Sequence, residues 1–524
     1  MKKAPVILSL ALAIPVGLFL LQHYFYHSSG LQPTGFTVDE NVLYMSYAHQ
    51  YLDQPHAELF YSNPFDGNPS SPVIYFQPVT IFFAALMKAG ADPGLTLSLF
   101  GLLMTIACIY TGILLLKTIA GREGNLGWLS LLFTWGGGLT AAAGLATWLF
   151  LPDHTWYSGL NAIYTADPAN GWWGLNWGRN LFIPLEAYYH FLFLLNVYFV
   201  VKQRWVAAAA AAIFLFISHP FTGIEYLLII NGWLFIEKLL LKNKNIPYSF
   251  WISILLITAF HLLYYLVYLN QFPEHRKLFE QYSASWTYSL WVAVPAYSLV
   301  LLLSVIAVKL NKKFPLLSAP QQRLFLCWAL ISFLLSKHEW FIPARQPLHF
   351  TRGYTWAGLF LLALPVLVFL FNRWKHRYRT IVLAALITVL LNDNILWTIN
   401  LLRKKEETEW EGHLTNPTRE VLHFLAGNCT PADLLTGNAT LVNYLANVYS
   451  PANAWISHPY NTPDIPARKS VQDRFLSTGK LPVEWKDRRV LLIVDKNENS
   501  PEIHAGILEK GILFENSRYR IITP

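Results

Sequence analysis

Long apolar runs separated by short basic loops fill the first four hundred positions of this chain. Runs near residues 5–23, 95–117, 126–150, 181–201, 205–218, 221–241, 249–270, 288–309, 321–336, 353–372 and 379–400 predict about eleven membrane-spanning helices, each needing roughly 20 apolar residues. The run 73–90 is also apolar, but it carries Pro78 and is flanked by Lys88 and Asp92. It reads as a re-entrant or surface-lying helix. After residue 401 the pattern changes, and short apolar runs alternate with helix-like polar segments. Asn416-Pro417 predicts a helix start, because Asn caps well and Pro suits the first turn. Val490–Val494 reads as a buried strand and Tyr519–Ile522 as a last strand. The expected fold is therefore mostly α: a polytopic helical membrane domain over 1–400, then a small soluble α/β domain over 401–524.

Composition agrees with that pattern. The chain is 54% hydrophobic and only 13% charged, whereas a soluble domain carries about 25% charged residues. The 20 Trp and 27 Tyr suit two interfacial belts. The net charge of +8 does not argue for nucleic acid, because the basic residues cluster in short loops between apolar runs. Those loops set an orientation. Lys2/Lys3, Lys117/Arg122, Lys202/Arg204, Lys238/Lys242/Lys244, Lys309/Lys312/Lys313 and Arg373/Lys375/Arg377/Arg379 fall on one side, the cytoplasm by the positive-inside rule. The N-terminus is then cytoplasmic, with the first apolar run read as a retained span. Loops 24–94, 151–180, 271–287 and 337–352 and the tail lie outside. The weakest link is the short run 205–218, joined to the next span through Ser218-His219-Pro220; reading the two as one broken helix would flip the tail but break the later charge pattern. The three cysteines form no zinc spacing or disulfide framework.

Four groups of residues can carry chemistry. Asp39-Glu40 opens the first outer loop; it is either a helix-start acid pair favoured by the dipole or a base at the membrane surface. The late loop holds Lys337-His338-Glu339-Trp340, Arg345, His349 and Arg352, suited to salt bridges, lipid headgroups or the phosphate of a lipid carrier. Glu186 and His190 are four residues apart in a span, so they share a face and need a polar partner or cavity. Glu225 has the same need. The loop Asp153-His154…Asp167…Trp172-Trp173…Trp177…Arg179 suits sugar rings or the interface equally, and His219 stands at a helix break where a cavity-lining loop is tolerated. No cofactor is implied; a divalent cation has no support from ligand spacing.

The arrangement resembles the GT-C superfamily of polytopic membrane glycosyltransferases. The features that carry it are a first span followed by Asp39-Glu40, then Tyr75-Phe76-Gln77-Pro78 opening a surface helix, then a span ending at Lys117 before Gly121-Arg122, and an outer C-terminal domain. The tail's His458-Pro459-Tyr460-Asn461-Thr462-Pro463-Asp464…Arg468 and Phe514-Glu515-Asn516…Tyr519-Arg520-Ile521 resemble bacterial members. The resemblance implies a bacterial inner-membrane enzyme. It would move a sugar from a polyprenyl-phosphate or pyrophosphate donor to a glycan, lipid or protein acceptor, with inversion. Asp39 would be the base and Glu40 its support. Lys337, Arg345 and Arg352 would bind donor phosphate, matched by location only. Competing readings are a lipid-linked glycan ligase or polymerase, a transporter, and a non-catalytic envelope-assembly protein.

Overall fold

The computed structural model describes residues 3–52, 59–68, 70–121, 125–140, 146, 148–150, 169, 171–281, 286–374, 377–498, 503–508 and 510–524. Asp153, His154 and Asp167 lie outside the described residues. The protein is mostly helical. Six helices are long and apolar enough to cross a membrane: Pro93–Ala120, Pro184–Val201, Tyr248–Gln271, Leu290–Lys313, Pro347–Arg373 and Arg379–Arg403. The pair Ala4–Leu12 and Ile14–Phe25, bent by 42°, makes a seventh if counted as one span. By length and composition the described residues therefore hold six or seven spans where the apolar runs predict about eleven. The difference lies where runs are short or interrupted. The run 126–150 is helical over Leu126–Trp135, turns extended at Gly136 and has no regular structure at Gly137 and Gly138. The runs on either side of His219 form two short helices, Trp205–Ser218 and Pro220–Phe235.

Two compact units emerge. A helical unit comprises Met1–Phe19, Phe100–Leu263 and Ser283–Lys404; a mixed unit comprises Leu20–Leu99, Tyr264–Tyr282 and Lys405–Pro524. In the helical unit, breaks are satisfied locally. Pro15 has no N–H to give, and the Val16 N–H goes to the Ala13 carbonyl at 3.1 Å. The carbonyl of Leu12, freed by the bend, accepts the indole N–H of Trp135 at 2.8 Å. At the second break His219 is extended, and its Nδ1 accepts the Thr222 N–H at 3.2 Å as a cap. Gly223 lets the two short helices meet, since a Cβ there would sit 2.5 Å from Phe216 Cα.

The mixed unit holds two sheets. Strands β1 (Leu31–Pro33) and β2 (His413–Thr415) pair antiparallel, with Leu31 opposite Thr415. The second sheet contains β3 (Leu434–Gly437), β4 (Asn453–Ala454), β5 (Val490–Asp495), β6 (Ile512–Glu515) and β7 (Tyr519–Ile522), in the order β4-β3-β5-β7-β6. β3 runs parallel to β4 and β5, while β7 is antiparallel to β5 and β6. The expected strand Val490–Val494 is β5, buried along its whole length as a central strand should be. Leu434, Phe475, Leu476, Trp485, Leu492 and Ile522 form the core of this layer. The expected helix start at Asn416-Pro417 opens the helix Asn416–Asn428.

Candidate functional site

In the mixed unit, the segment leading to Asp39 is held by the β1–β2 pairing and by tail residues. The Thr34 hydroxyl donates to the Glu411 carbonyl at 2.7 Å, and the Thr34 N–H to the Gly412 carbonyl at 2.9 Å. Phe36 is fully buried just before the acids. The helix Glu40–Gln50 then begins, with Asp39 at its cap position. The Asp39 backbone is already helical, with φ −55° and ψ −39°, whereas a capping Asp is extended and turns its carboxylate back onto the first free N–H groups. Asp39 does not; its side chain makes no capping bond and is exposed. The position of Asp39 is fixed through its backbone instead, because Tyr444 donates its hydroxyl to the Asp39 carbonyl at 3.0 Å. Glu40 is exposed in the first turn, where a negative charge favours the helix dipole. Glu411 is the third acid here. Burial, then the charge of Asp39, holds its carboxyl above the usual carboxylate range. Burial, then the charges of Glu411, Asp39 and Glu40, pushes the Tyr444 phenol up, so it stays a donor. The result is a carboxylate open to solvent on a residue whose backbone Tyr444 holds.

The tail motif around His458 ties down the same unit. Arg468 pairs with Asp66, donates to the Trp455 carbonyl at 3.0 Å and lies over the Trp455 ring. His458 Nδ1 accepts the N–H groups of Tyr460 at 3.1 Å and Asn461 at 3.0 Å. Burial lowers the His458 pKa to about 4. Asp464 and Lys277 form an exposed pair at 3.4 Å.

In the helical unit, several candidate residues converge. Glu186 and His190 do share a helix face, and what meets them is Arg352. The Arg352 guanidinium pairs with Glu186, both buried, and also contacts His349 Nδ1. His190 lies between two carbonyls, with Nδ1 2.7 Å from Glu186 O and Nε2 2.7 Å from Arg352 O. His219 completes the group: its ring centroid is 6.1 Å from that of His349 and it stacks on Tyr189. The backbone makes this possible at Gly353, whose φ of +74° and contact with Trp177 exclude a side chain.

The other two cations of the late loop differ from one another. Lys337 is buried, lies over the Tyr288 ring and bonds Thr287 Oγ1 at 2.8 Å, the Tyr288 carbonyl and Glu339 Oε1 at 3.1 Å. Arg345 is exposed, with its backbone N–H given to His338 Nε2 at 2.8 Å. Arg179 is buried elsewhere in the unit. It approaches Asp393 at 3.9 Å and donates Nε to Asn394 Oδ1 at 3.0 Å. Asp393 also accepts the N–H groups of Gly138 at 3.2 Å and Thr140 at 3.1 Å, which satisfies the extended glycine stretch. Asp393-Asn394 was not singled out from the sequence, although an acid inside an apolar run is itself a signal. Tyr444 and Glu411 left no such signal, since each acts across a long stretch of chain. Among the described residues, no group of three or more His, Cys, Asp or Glu side chains is arranged to hold a metal ion.

No protein-family model matches the chain, and no curated protein matches it in sequence. Solved structures do match in shape. The oligosaccharyltransferase of Archaeoglobus fulgidus, tethered with an acceptor peptide containing the NVT sequon, superposes with a TM-score of 0.51 at 12% identity, covering 94% of this chain and 69% of that one. Its apo form gives a TM-score of 0.47 at 12% identity over 94% and 70% of the two chains. The AglB oligosaccharyltransferase of the same organism, in complex with an inhibitory peptide and a dolichol-phosphate, gives 0.46 at 12% identity over 94% and 69%. At 12% identity, the first of these likenesses speaks to the fold alone. This chain is therefore similar in fold to an archaeal oligosaccharyltransferase.

Proposed function

We propose that this chain is a membrane glycosyltransferase whose base is Asp39. The observation that carries the reading is a carboxylate at a helix cap position that makes no cap bond, lies exposed, and is fixed through its own carbonyl by Tyr444. The fold likeness to an oligosaccharyltransferase supports the reaction class.

In the proposed reaction the donor is a sugar on a polyprenyl phosphate or pyrophosphate, at the outer face of a bacterial inner membrane. The Asp39 carboxylate takes the proton of an acceptor hydroxyl on a glycan, lipid or protein. That oxygen bonds the anomeric carbon as the bond from the anomeric carbon to phosphate oxygen breaks, and the configuration inverts. The phosphate leaves with the electron pair, so its charge, not a proton, needs stabilising. Of the three candidate cations, Arg345 is the exposed one, and we assign it the first phosphate contact. Lys337 and Arg352, each held by an acid, shape the loop that presents it. Glu40 and Glu411 set the field around the base. Arg179, Glu186, His190, His219 and His349 then serve the architecture of the helical unit. The test is mass spectrometry of envelope glycans and lipids in the host. A strain lacking the protein should show one glycoconjugate short of a single sugar; an unchanged profile counts against transfer.

A further inference from the structure

The helical unit carries a small cavity that the proposed reaction does not use. Its volume is about 90 Å³, and Gln203, Trp205, Trp233, Asn243, Asn245 and Gln321 line much of it. Two helices long and apolar enough to cross a membrane meet it, Pro184–Val201 by its last residue and Tyr248–Gln271 through Ile246, two residues ahead. A cavity at the ends of two spans lies at the depth of lipid headgroups.

The segments 200–206 and 241–248 hold four exposed basic residues and no exposed or buried acid. Lys202 and Arg204 flank Gln203, and Lys242 and Lys244 flank Asn243. Among the described residues none of the four pairs with an acid. Two other charges of this region are already used. Buried Glu237 accepts Arg323 Nε at 2.6 Å and Asn243 Nδ2 at 2.8 Å. Buried Lys238 donates to the carbonyls of Asn243 at 2.9 Å and Ile246 at 2.7 Å and lies over the Tyr248 ring, which fixes the loop that walls the cavity.

The positive-inside bias accounts for basic residues in such loops, but not for what their backbone does. Gln203 and Lys242 both stand in the left-handed region, at φ +57° and φ +51°. Each follows a helix end, where glycine is the usual choice because it has no Cβ to strain. At Gln203 the turn is complete: its N–H goes to the Val200 carbonyl at 2.9 Å, and the Arg204 N–H to the Phe199 carbonyl at 2.8 Å. Gln203 lines the cavity and Lys242 adjoins Asn243, which also lines it. Two separate loops thus keep a polar and a basic side chain beside one cavity at a cost in backbone strain, and such strain collects at binding sites. We propose that this cavity seats the phosphate of an anionic phospholipid headgroup. Gln203 and Asn245 offer amide donors, and Lys202, Arg204, Lys242 and Lys244 supply the counter-charge. The site stands apart from the glycosyltransferase reading.

The test is thermal unfolding of the full chain in nanodiscs of phosphatidylcholine alone, or of equal parts phosphatidylcholine and phosphatidylglycerol. The unaltered chain should unfold at a higher temperature in the anionic discs. Gln203→Gly and Lys242→Gly each relieve the backbone, so neither should lower the midpoint in phosphatidylcholine alone. Each should nevertheless cut the gain from phosphatidylglycerol to half or less. Gln203→Gly changes no charge, so a general attraction between basic loops and an anionic membrane would leave its gain intact. Equal midpoints in the two lipids would overturn the proposal. So would an undiminished gain in Gln203→Gly, or inorganic phosphate raising the midpoint in phosphatidylcholine discs as far as phosphatidylglycerol does. If a glycine variant does not fold, Lys202→Gln combined with Lys244→Gln decides: an undiminished gain there overturns the site.

Discussion

The late-loop cations separate into two jobs once their partners are known. Arg352 and Glu186 are buried together, so removing one strands the other. Arg352→Ala should cost about 3–5 kcal/mol, the usual penalty for an uncompensated buried charge. Arg345 is exposed, and Arg345→Ala should leave stability within about 0.5 kcal/mol. It should nevertheless weaken transfer, mainly by raising KM for the lipid-linked donor. Denaturation curves and transfer assays on the two variants check this contrast; a stable Arg352→Ala or a fully active Arg345→Ala would reverse the assignment. The sequence made part of this legible. The spacing of Glu186 and His190 placed them on one face, because helical periodicity is local. It could not name Arg352 as their partner, nor Tyr444 as the group holding Asp39, because those contacts join distant parts of the chain.

At the level of elements, short turns do much of the positioning. Gly353 has φ +74°, and a Cβ there would lie 2.3 Å from Trp177 backbone atoms. Gly353→Ala should destabilise the helical unit by well over about 1 kcal/mol, since both strain and collision apply. A melting temperature within error of the unaltered protein would show the turn to be less constrained. On the other unit, Tyr444→Phe removes one hydrogen bond to the Asp39 carbonyl. It should cost about 0.5–1.5 kcal/mol and lower kcat while leaving transfer detectable. Strong elements were readable in advance: β5 and β7 appear as short apolar runs, and the helix at Asn416 announces itself with Asn-Pro. Span counting was harder. Hydropathy sees the run 126–150 as continuous, but Gly137 and Gly138 leave the helix, their N–H groups given to the Leu390 carbonyl and the Asp393 carboxylate. That exchange needs residues far along the chain.

For the molecule as a whole, the mixed unit should respond to acid. Burial lowers both His458 and His275 to a pKa of about 4, below the ordinary value of 6.5. The folded state therefore favours their neutral forms. Between pH 6.5 and about 4 the unfolded chain binds more protons, so stability is full above 6.5 and falls as pH drops toward 4. Unfolding of the full chain followed across that range should show the loss, and His458→Asn, which keeps an acceptor for the two backbone N–H groups, should make it shallower. A flat profile would contradict the burial of these rings. The central claim, however, is that Asp39 is the base. The most direct measurement compares envelope glycoconjugates from strains carrying the unaltered protein, the Asp39→Asn variant at matched level, or none. The exposed side chain makes no hydrogen bond that folding needs, so the variant should accumulate normally. The Asp39→Asn strain should lack the same single sugar as the strain without the protein; a full complement of that sugar there would show that Asp39 is not the base.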